Sequence, residues 1–265
     1  QPASGLGRIS SNDAMAPLLQ RRRSLFHAVA PPTRCRTIAL MDDVQRVAEN
    51  AAAVRARIAA ACERAGRDPV RVTLVAVTKT HAAAVAADAF AAGLQDFGEN
   101  RVQEALPKIA ALSARGMRPR WHLIGHLQTN KVLAAIEAFD ILHGIDSERL
   151  AEAISRRAAR PVTVLLEVNV AGEQAKYGVA AEDAPAIAAR ICRMPNLRLA
   201  GLMTVAPQVD DPEDVRPVFR RLRELRDAIG LPELSMGMTD DFEIAVEEGS
   251  TMVRIGRALF GPRDG

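Results

Sequence analysis

A lysine that follows an apolar run is the residue of this sequence best suited to covalent chemistry. Lys79 comes after Leu74-Val75-Ala76-Val77, separated from that run by Thr78. If the run forms a buried strand, the ammonium group lies beside a low-dielectric interior, which lowers its pKa and makes the amine nucleophilic. Such an amine can form a Schiff base. The alternative is a lysine whose ammonium group extends from the strand end into solvent.

Two glycine-containing segments near the C-terminal end have the composition of a phosphate cradle. They are Ser235-Met236-Gly237-Met238-Thr239 and Arg254-Ile255-Gly256-Arg257, each before a predicted helix. Glycine lets the backbone approach an anion closely, helix starts present N–H groups, and the hydroxyls of Ser235 and Thr239 can add hydrogen bonds. Ordinary helix capping explains Thr239 equally well, because acidic residues follow it.

Short runs rich in β-branched residues alternate with helical stretches along the chain. Ahead of them, apolar residues at helical spacing predict a leading helix from Asp42 to Ala65, capped by Gly66. The eight predicted strands are Arg71–Thr78, Asp96–Gly98, Trp121–Ile124, Ile141–Gly144, Val162–Asn169, Arg198–Thr204, Glu233–Met236 and Met252–Ile255. Predicted helices between them include Ala82–Ala92, Gln128–Phe139, Ser147–Ala159, Ala181–Arg193, Pro212–Ile229 and Asp240–Glu248. This alternation predicts an α/β fold with a single closed (β/α)8 barrel of the TIM type.

An open, doubly wound sheet is the alternative fold. Its usual nucleotide signature, GxGxxG after the first strand, is missing, because Thr78-Lys79-Thr80 stands there. No Walker-type GxxxxGKS/T motif is present either. The barrel is therefore the favoured prediction.

In a barrel, side chains at the carboxyl ends of the strands meet at one mouth and carry the chemistry. The residues at these ends are polar: Lys79, Glu99, Asn100, His126, Gln128, Asp146, Asn169, Thr204, Ser235 and Arg254. The cradle segments follow strands seven and eight, where barrels commonly bind phosphate. This position favours a phosphate-bearing ligand within reach of Lys79.

His122, His126 and Tyr177 are favoured as structural residues. The i, i+4 spacing of the two histidines could suggest a metal, but Gly125 lies between them and no acidic third ligand is placed nearby. Tyr177, the single tyrosine, could cover a ligand, although capping of the barrel edge is the simpler interpretation.

Composition argues against several function classes. The formal net charge of +3 comes from arginines within the first forty residues, so the rest offers no basic stripe for nucleic acid. Three widely separated cysteines give neither a disulfide framework nor a zinc site, which favours a reducing cytoplasm. No apolar run is long enough to span a bilayer.

Residues 1–40 are rich in serine, proline and arginine and lack periodicity, which predicts a disordered extension before a barrel domain over residues 41–265. An organelle-targeting peptide is one alternative, although Pro31 and Pro32 argue against a clean targeting helix. An upstream extension of the reading frame, with Met41 as the natural start, is the other.

Several longer motifs, in one order, narrow the prediction further. They are Leu74-Val75-Ala76-Val77-Thr78-Lys79-Thr80, Phe97-Gly98-Glu99-Asn100-Arg101-Val102-Gln103-Glu104, Trp121-His122-Leu123-Ile124-Gly125-His126-Leu127-Gln128-Thr129-Asn130-Lys131, Gly201-Leu202-Met203-Thr204, Leu234-Ser235-Met236-Gly237-Met238-Thr239-Asp240-Asp241 and Ser250-Thr251-Met252-Val253-Arg254-Ile255-Gly256. With these motifs the chain resembles the pyridoxal phosphate homeostasis protein family, whose barrel is related to the N-terminal domain of alanine racemase.

The resemblance implies a set of contacts with pyridoxal 5′-phosphate (PLP). Lys79 would carry the cofactor as a Schiff base, Asn100 would line the ring pocket and Arg254 would face the pyridine nitrogen. Ser235, Thr239 and the Gly256-Arg257 turn would hold the phosphate. One departure is His126, where the family often has proline, and this puts only the shape of that loop in doubt.

The resemblance also implies a carrier without bulk catalysis, which buffers PLP and delivers it to apo-enzymes. An arginine facing the ring nitrogen stays charged, so that nitrogen accepts a hydrogen bond and the cofactor is a weaker electron sink. A racemase needs a second acid or base, which related enzymes take from a further domain of a partner subunit, and this chain ends at Gly265. A monomer is therefore expected. The alternatives are an amino-acid racemase and a cofactor-free Schiff-base aldolase, the latter disfavoured by the cradle.

Overall fold

The computed structural model describes residues 33–173 and 176–261. The leading helix, α1, spans Thr33–Arg64 and ends at Gly66, whose φ of 63° confirms the predicted cap. Its start corrects the predicted start at Asp42. No proline separates Thr33 from Asp42, so no backbone N–H is missing and the helix can extend toward the N-terminus. The rest of the predicted disordered extension, residues 1–32, lies outside the described residues.

Eight parallel strands close into a barrel, as predicted. Strand β1 pairs with β2 and β9, and β4 pairs with β5, so the sheet has no open edge between these strands. The barrel strands are β1 Thr73–Val77, β2 Asp96–Glu99, β3 Arg120–Leu123, β4 Ile141–Ile145, β5 Val162–Asn169, β7 Leu197–Met203, β8 Glu233–Ser235 and β9 Met252–Ile255. A two-residue strand that the sequence did not predict, β6 (Val179–Ala180), pairs with the carboxyl end of β5.

Helices cover the outside of the barrel. They are α2 Ala83–Ala91, α3 Val102–Ala114, α4 Val132–Ala138, α5 Glu148–Arg157, α6 Ala184–Ile191, α7 Arg216–Ile229, α8 Phe242–Glu247 and α9 Arg257–Phe260. Several are shorter than predicted, in part because Thr129–Lys131 and Pro212–Val215 form 3-10 turns. None of the helices in the described ranges is long and apolar enough to cross a membrane.

Apolar side chains pack on both faces of the barrel sheet. The large core lies between the sheet and the helices, and a smaller cluster inside the barrel contains Val75, Leu165 and Met203. Strand side chains alternate between these two faces. Every second side chain of β1 therefore points into the barrel. Val75 and Val77 do so, and Lys79 follows two positions later at the mouth.

Candidate functional site

A cavity of about 570 Å³, called here the mouth cavity, lies at the carboxyl ends of the barrel strands. Its lining comes from the ends of β1, β2, β3, β7, β8 and β9, and includes most of the predicted site residues. The predicted residues that line it are Lys79, Asn100, Thr239, Arg254, Gly256 and Arg257. Strand ends separated widely in sequence thus meet at one mouth, as expected for a barrel.

Lys79 lies in a tight turn that directly follows β1. The amide of His81 donates to the carbonyl oxygen of Thr78 at 3.1 Å, which closes the turn around Lys79 and Thr80. Thr80 has a φ of 68°, an unfavourable conformation for a β-branched residue. Backbone strain of this kind concentrates at functional sites. The turn holds the half-buried Lys79 side chain at the wall of the mouth cavity.

A buried ion pair between Lys108 and Glu99 supports the Lys79 turn on the side that faces α3. The ammonium group of Lys108 donates to the Thr78 carbonyl oxygen at 2.6 Å and to Oε1 of Glu99 at 2.5 Å. The Thr78 hydroxyl donates to the same Glu99 oxygen at 2.6 Å. The sequence placed Glu99 at the mouth, but its side chain is completely buried and is not part of the cavity lining.

Lys108 was not predicted, although the sequence carries a signal for it. In α3 the buried positions are Val102, Ala105, Lys108 and Leu112, so the lysine lies on the apolar stripe of an amphipathic helix. Lysine is rarely buried unless it is paired. A lysine on such a stripe therefore indicates a buried acidic partner.

Arg254 is the buried cation of the mouth cavity. Its side chain donates to the Thr204 carbonyl oxygen at 2.8 Å and to the Ser235 hydroxyl oxygen at 2.6 Å. Burial lowers the pKa of its guanidinium group to about 10, and the charges of Asp241 and Glu167 oppose that shift. Arg254 therefore stays protonated at neutral pH and presents only N–H donors.

Ser235 has a different environment from the one the cradle interpretation gave it. Its side chain is completely buried and is not part of the mouth cavity lining, because it points into the barrel interior. The hydroxyl lies between Arg254, at 2.6 Å, and Nδ1 of His143, at 2.9 Å. Ser235 therefore contacts Arg254, which lines the mouth cavity, rather than the cavity itself.

The other cradle residues lie on the wall of the cavity. Thr239 follows a turn in which Gly237 has a φ of 94°, and a Cβ there would come within 2.6 Å of the Ala245 Cβ. That turn therefore requires glycine. Arg257 is exposed and its guanidinium group pairs with Asp240 at 2.5 Å. Thr239 and Gly256 thus face the cavity from adjacent strand ends.

A second cavity, the side cavity, adjoins the mouth cavity and shares Asn100 with it. His126 and Tyr177 stack there, with ring centroids 4.2 Å apart, and Nδ1 of His126 lies 2.7 Å from an Asp146 oxygen. His122, by contrast, is completely buried inside the barrel. The two histidines of the sequence pattern therefore have separate environments. Within the described ranges, no three histidine, cysteine or acidic residues form a group that could hold a metal ion.

Glu167, on the inward face of β5, is a buried acid whose charge influences Arg254 and which the sequence did not identify as such. It is 7% exposed, and burial, followed by the charge of Asp146, raises its pKa to about 7, although Arg254 opposes the shift. In the unfolded chain the group ionises near its usual pKa of about 4.5. Between these pH values the folded protein keeps a proton that the unfolded chain has released.

The stability of the ligand-free protein is therefore expected to fall as the pH rises through this window. The loss should be on the order of 3 kcal/mol, since a tenfold change in proton affinity corresponds to about 1.4 kcal/mol. Glu167→Gln should remove this pH dependence in urea unfolding, whereas Glu63→Gln, at an exposed position of α1, should retain it. If the free energies of unfolding of the wild type and Glu167→Gln changed with pH in the same way, Glu167 would not be the source of the pH dependence.

The fold and the site define a class of barrel. Residues 49–264 match the family model of the alanine racemase N-terminal domain. The alanine racemase of Corynebacterium glutamicum superposes with a TM-score of 0.62 at 21% identity, covering 83% of this chain and 62% of the racemase chain. At that identity, the likeness shows a shared fold alone.

Closer relatives identify the family within this class. The pyridoxal phosphate homeostasis protein of Pseudomonas aeruginosa is 48% identical over 223 residues, which are 82% of this chain and 96% of that protein. PipY of Synechococcus elongatus, whose structure was solved with PLP bound, superposes with a TM-score of 0.71 at 35% identity, covering 81% of this chain and all of PipY. The chain belongs to the pyridoxal phosphate homeostasis protein family, which confirms the resemblance seen in the sequence motifs.

Proposed function

We propose that this protein binds PLP as a Schiff base on Lys79 and acts as a carrier that buffers the cofactor and delivers it to apo-enzymes. One observation carries the proposal: Lys79, Thr239, Gly256 and Arg254 line the same cavity, although they come from three different strand ends. The cavity volume of about 570 Å³ lies in the range of small-molecule sites. PipY, described with PLP bound, supports the same ligand.

The donor set fits each polar group of the cofactor. When bound, PLP supplies an aldehyde, which condenses with a primary amine and releases water. Lys79 provides that amine. Thr239 and the Gly256-Arg257 turn provide a hydroxyl and a close backbone approach for a phosphate, and Asn100 borders the ring. Ser235 is best assigned a supporting role, because its hydroxyl is engaged by Arg254.

The chemistry of Arg254 supports a carrier rather than an enzyme. Its guanidinium group stays protonated because its pKa of about 10 lies well above neutral pH. A donor-only group opposite the ring nitrogen favours the unprotonated nitrogen, and this weakens the ring as an electron sink. Carbanion chemistry is thereby disfavoured. We also propose that the carrier is a monomer. The widely separated cysteines favour a reducing cytoplasm as its compartment.

Amino-acid racemisation is the competing function. It is favoured by a second titratable side chain, since His81 lines the mouth cavity together with Lys79. A racemase needs two groups that can exchange a proton with the substrate, one on each face. A direct assay must therefore separate a carrier from a racemase.

The test combines labelling, transfer and turnover. The chain contains four lysines, Lys79, Lys108, Lys131 and Lys176, so peptide mapping after borohydride reduction gives an unambiguous position. We expect a visible absorption band, a label on the Lys79 peptide and transfer of PLP to an apo-enzyme. Racemisation of several amino acids should be no faster than with free PLP. A colourless protein or a label on another lysine would contradict binding, and faster racemisation would favour the enzyme.

A further inference from the structure

Four polar side chains cross the barrel interior beneath the mouth cavity. Asp96 lies on β2, His122 on β3, His143 on β4 and Ser235 on β8, and all four residues are buried. Nε2 of His122 lies 2.9 Å from Oδ1 of Asp96, and its Nδ1 lies 2.9 Å from Nε2 of His143. Nδ1 of His143 lies 2.9 Å from the Ser235 hydroxyl. Arg254 donates to that hydroxyl, so the line of contacts reaches the cavity.

One assignment of protons satisfies every contact in this line. A guanidinium group has no acceptor, so the Ser235 oxygen must accept from Arg254, and its own proton can be donated to Nδ1 of His143. His143 then carries its proton on Nε2 and donates to Nδ1 of His122. His122 in turn donates from Nε2 to the carboxylate of Asp96. Every group in the line then donates in the same direction.

The opposite direction leaves a contact unsatisfied. If His143 donated from Nδ1, the Ser235 oxygen would accept from both His143 and Arg254. The buried hydroxyl proton of Ser235 would then lose Nδ1 of His143 as its acceptor. Nε2 of a neutral His122 would then face the Asp96 carboxylate with a lone pair. Burial opposes ionisation of Asp96, but hydrogen bonds from His122 and Arg120 outweigh it and hold its pKa below the usual value. Asp96 is therefore an acceptor.

We propose that Asp96, His122, His143 and Ser235 form a one-directional hydrogen-bond relay that fixes the position of Arg254 against the ring nitrogen of the cofactor. This inference rests on the proposed function, because it assigns positioning residues to the same site. At its far end the relay is anchored by Arg120, whose Nε lies 2.8 Å from Oδ1 of Asp96. The Arg120 side chain is 60% exposed, so the relay connects the cavity with the opposite side of the barrel.

The relay also controls the charge around Arg254. The carboxyl groups of Asp241 and Glu167 influence the guanidinium group from the β8–α8 connection and from β5. Burial, and then the proximity of His122 and Arg254, hold the pKa of His143 well below its usual value. A neutral His143 adds no second cation to the interior. Arg254 therefore has no second cation at His143, the ring that contacts Ser235 beside it.

Nitrogen-15 NMR of the histidine rings tests the relay without any cofactor. His122 should carry a proton on Nε2, and His143 should appear as a neutral ring protonated on Nε2. A proton on Nδ1 of His143, a doubly protonated His143 or an unprotonated Nε2 of His122 would overturn the proposal. This measurement uses the unmodified chain, so it does not depend on whether a variant folds.

Variants test the effect of the relay on Arg254. Ser235→Ala should raise the PLP dissociation constant about tenfold and shift the visible absorption maximum of the bound cofactor. Ser250→Ala is the matched control, because Ser250 is also completely buried between β8 and β9 but donates to the carbonyl oxygen of Met236 at 2.7 Å. Equal effects of the two substitutions on affinity and spectrum would reject the relay.

A third variant separates the relay from direct phosphate binding by Ser235. His143→Phe breaks the line one residue away from Ser235, so it should reproduce the spectral shift and leave the affinity for inorganic phosphate unchanged. A normal spectrum in a folded His143→Phe protein would show that Arg254 does not depend on the relay. If the wild type retains no PLP, the proposed function fails, while the NMR measurement still tests the relay.

Discussion

Replacing Lys79 by alanine should abolish the borohydride-fixed label and weaken PLP binding on the order of a hundredfold, or about 2.7 kcal/mol. The remaining contacts from Thr239, Gly256 and Arg254 do not form a covalent bond, so they should give weak and reversible binding. Lys108 cannot replace Lys79, because its ammonium group is buried against Glu99 and the Thr78 carbonyl oxygen. Titration of the apo-protein with PLP, followed by reduction and mass spectrometry, measures both effects.

Two control variants isolate the covalent contribution. Lys79→Arg keeps a positive charge at the cavity wall but has no amine that can condense with an aldehyde, so it should also lose the label. Lys131→Ala removes a half-buried lysine of the side cavity and should leave the label and affinity unchanged. A full label in Lys79→Ala would place the Schiff base elsewhere and reject the assignment.

The barrel and the position of Lys79 at its mouth could be predicted from the sequence because both depend on local patterns. Each barrel strand is a short run of β-branched or apolar residues, and no predicted bound differs from the observed one by more than two residues. The alternation of inward and outward side chains along β1 sets the position of Lys79 at the mouth. Thr239, Gly256 and Arg257 follow strand ends in the same way, which is why the prediction found them.

The barrel interior could not be predicted, because its contacts join strands that are distant in sequence. Ser235 was read as a phosphate ligand from its place in a glycine-containing segment. Its inward direction brings it against His143, which lies 92 residues earlier in the chain. That contact depends on the stagger between β4 and β8 across the barrel, which a sequence pattern does not specify.

The two buried acids were missed for a related reason. Glu99 was placed at the mouth because it ends a strand, and Glu167 was read as part of β5 without a role. Glu99 instead faces Lys108 on α3, and Glu167 faces the interior near Arg254. In both cases the alternation of side chains along the strand predicts which face of the sheet the acid lies on. Its role depends on a partner from another element, which the sequence pattern does not identify.

Replacing Lys108 by methionine should reduce the free energy of unfolding by about 3–5 kcal/mol, since removal of one partner leaves an uncompensated buried charge. The Lys108 and Glu99 side chains are 7% and 0% exposed, so solvent offers little compensation. Oε2 of Glu99 accepts no hydrogen bond from the described residues, which makes the carboxylate depend on Lys108 and Thr78 at Oε1. Urea unfolding of the ligand-free protein measures the change.

The matched control and the double variant distinguish the ion pair from general effects of losing a lysine. Lys131→Met, on a half-buried residue without a buried acidic partner among the described residues, should cost less than about 1 kcal/mol. Glu99→Gln combined with Lys108→Met should recover much of the lost stability, because no charge is then buried. Lys108 also holds the Thr78 carbonyl oxygen at the start of the Lys79 turn. The double variant should therefore regain stability but still bind PLP more weakly than the wild type, and full recovery of both would show that the turn does not need Lys108.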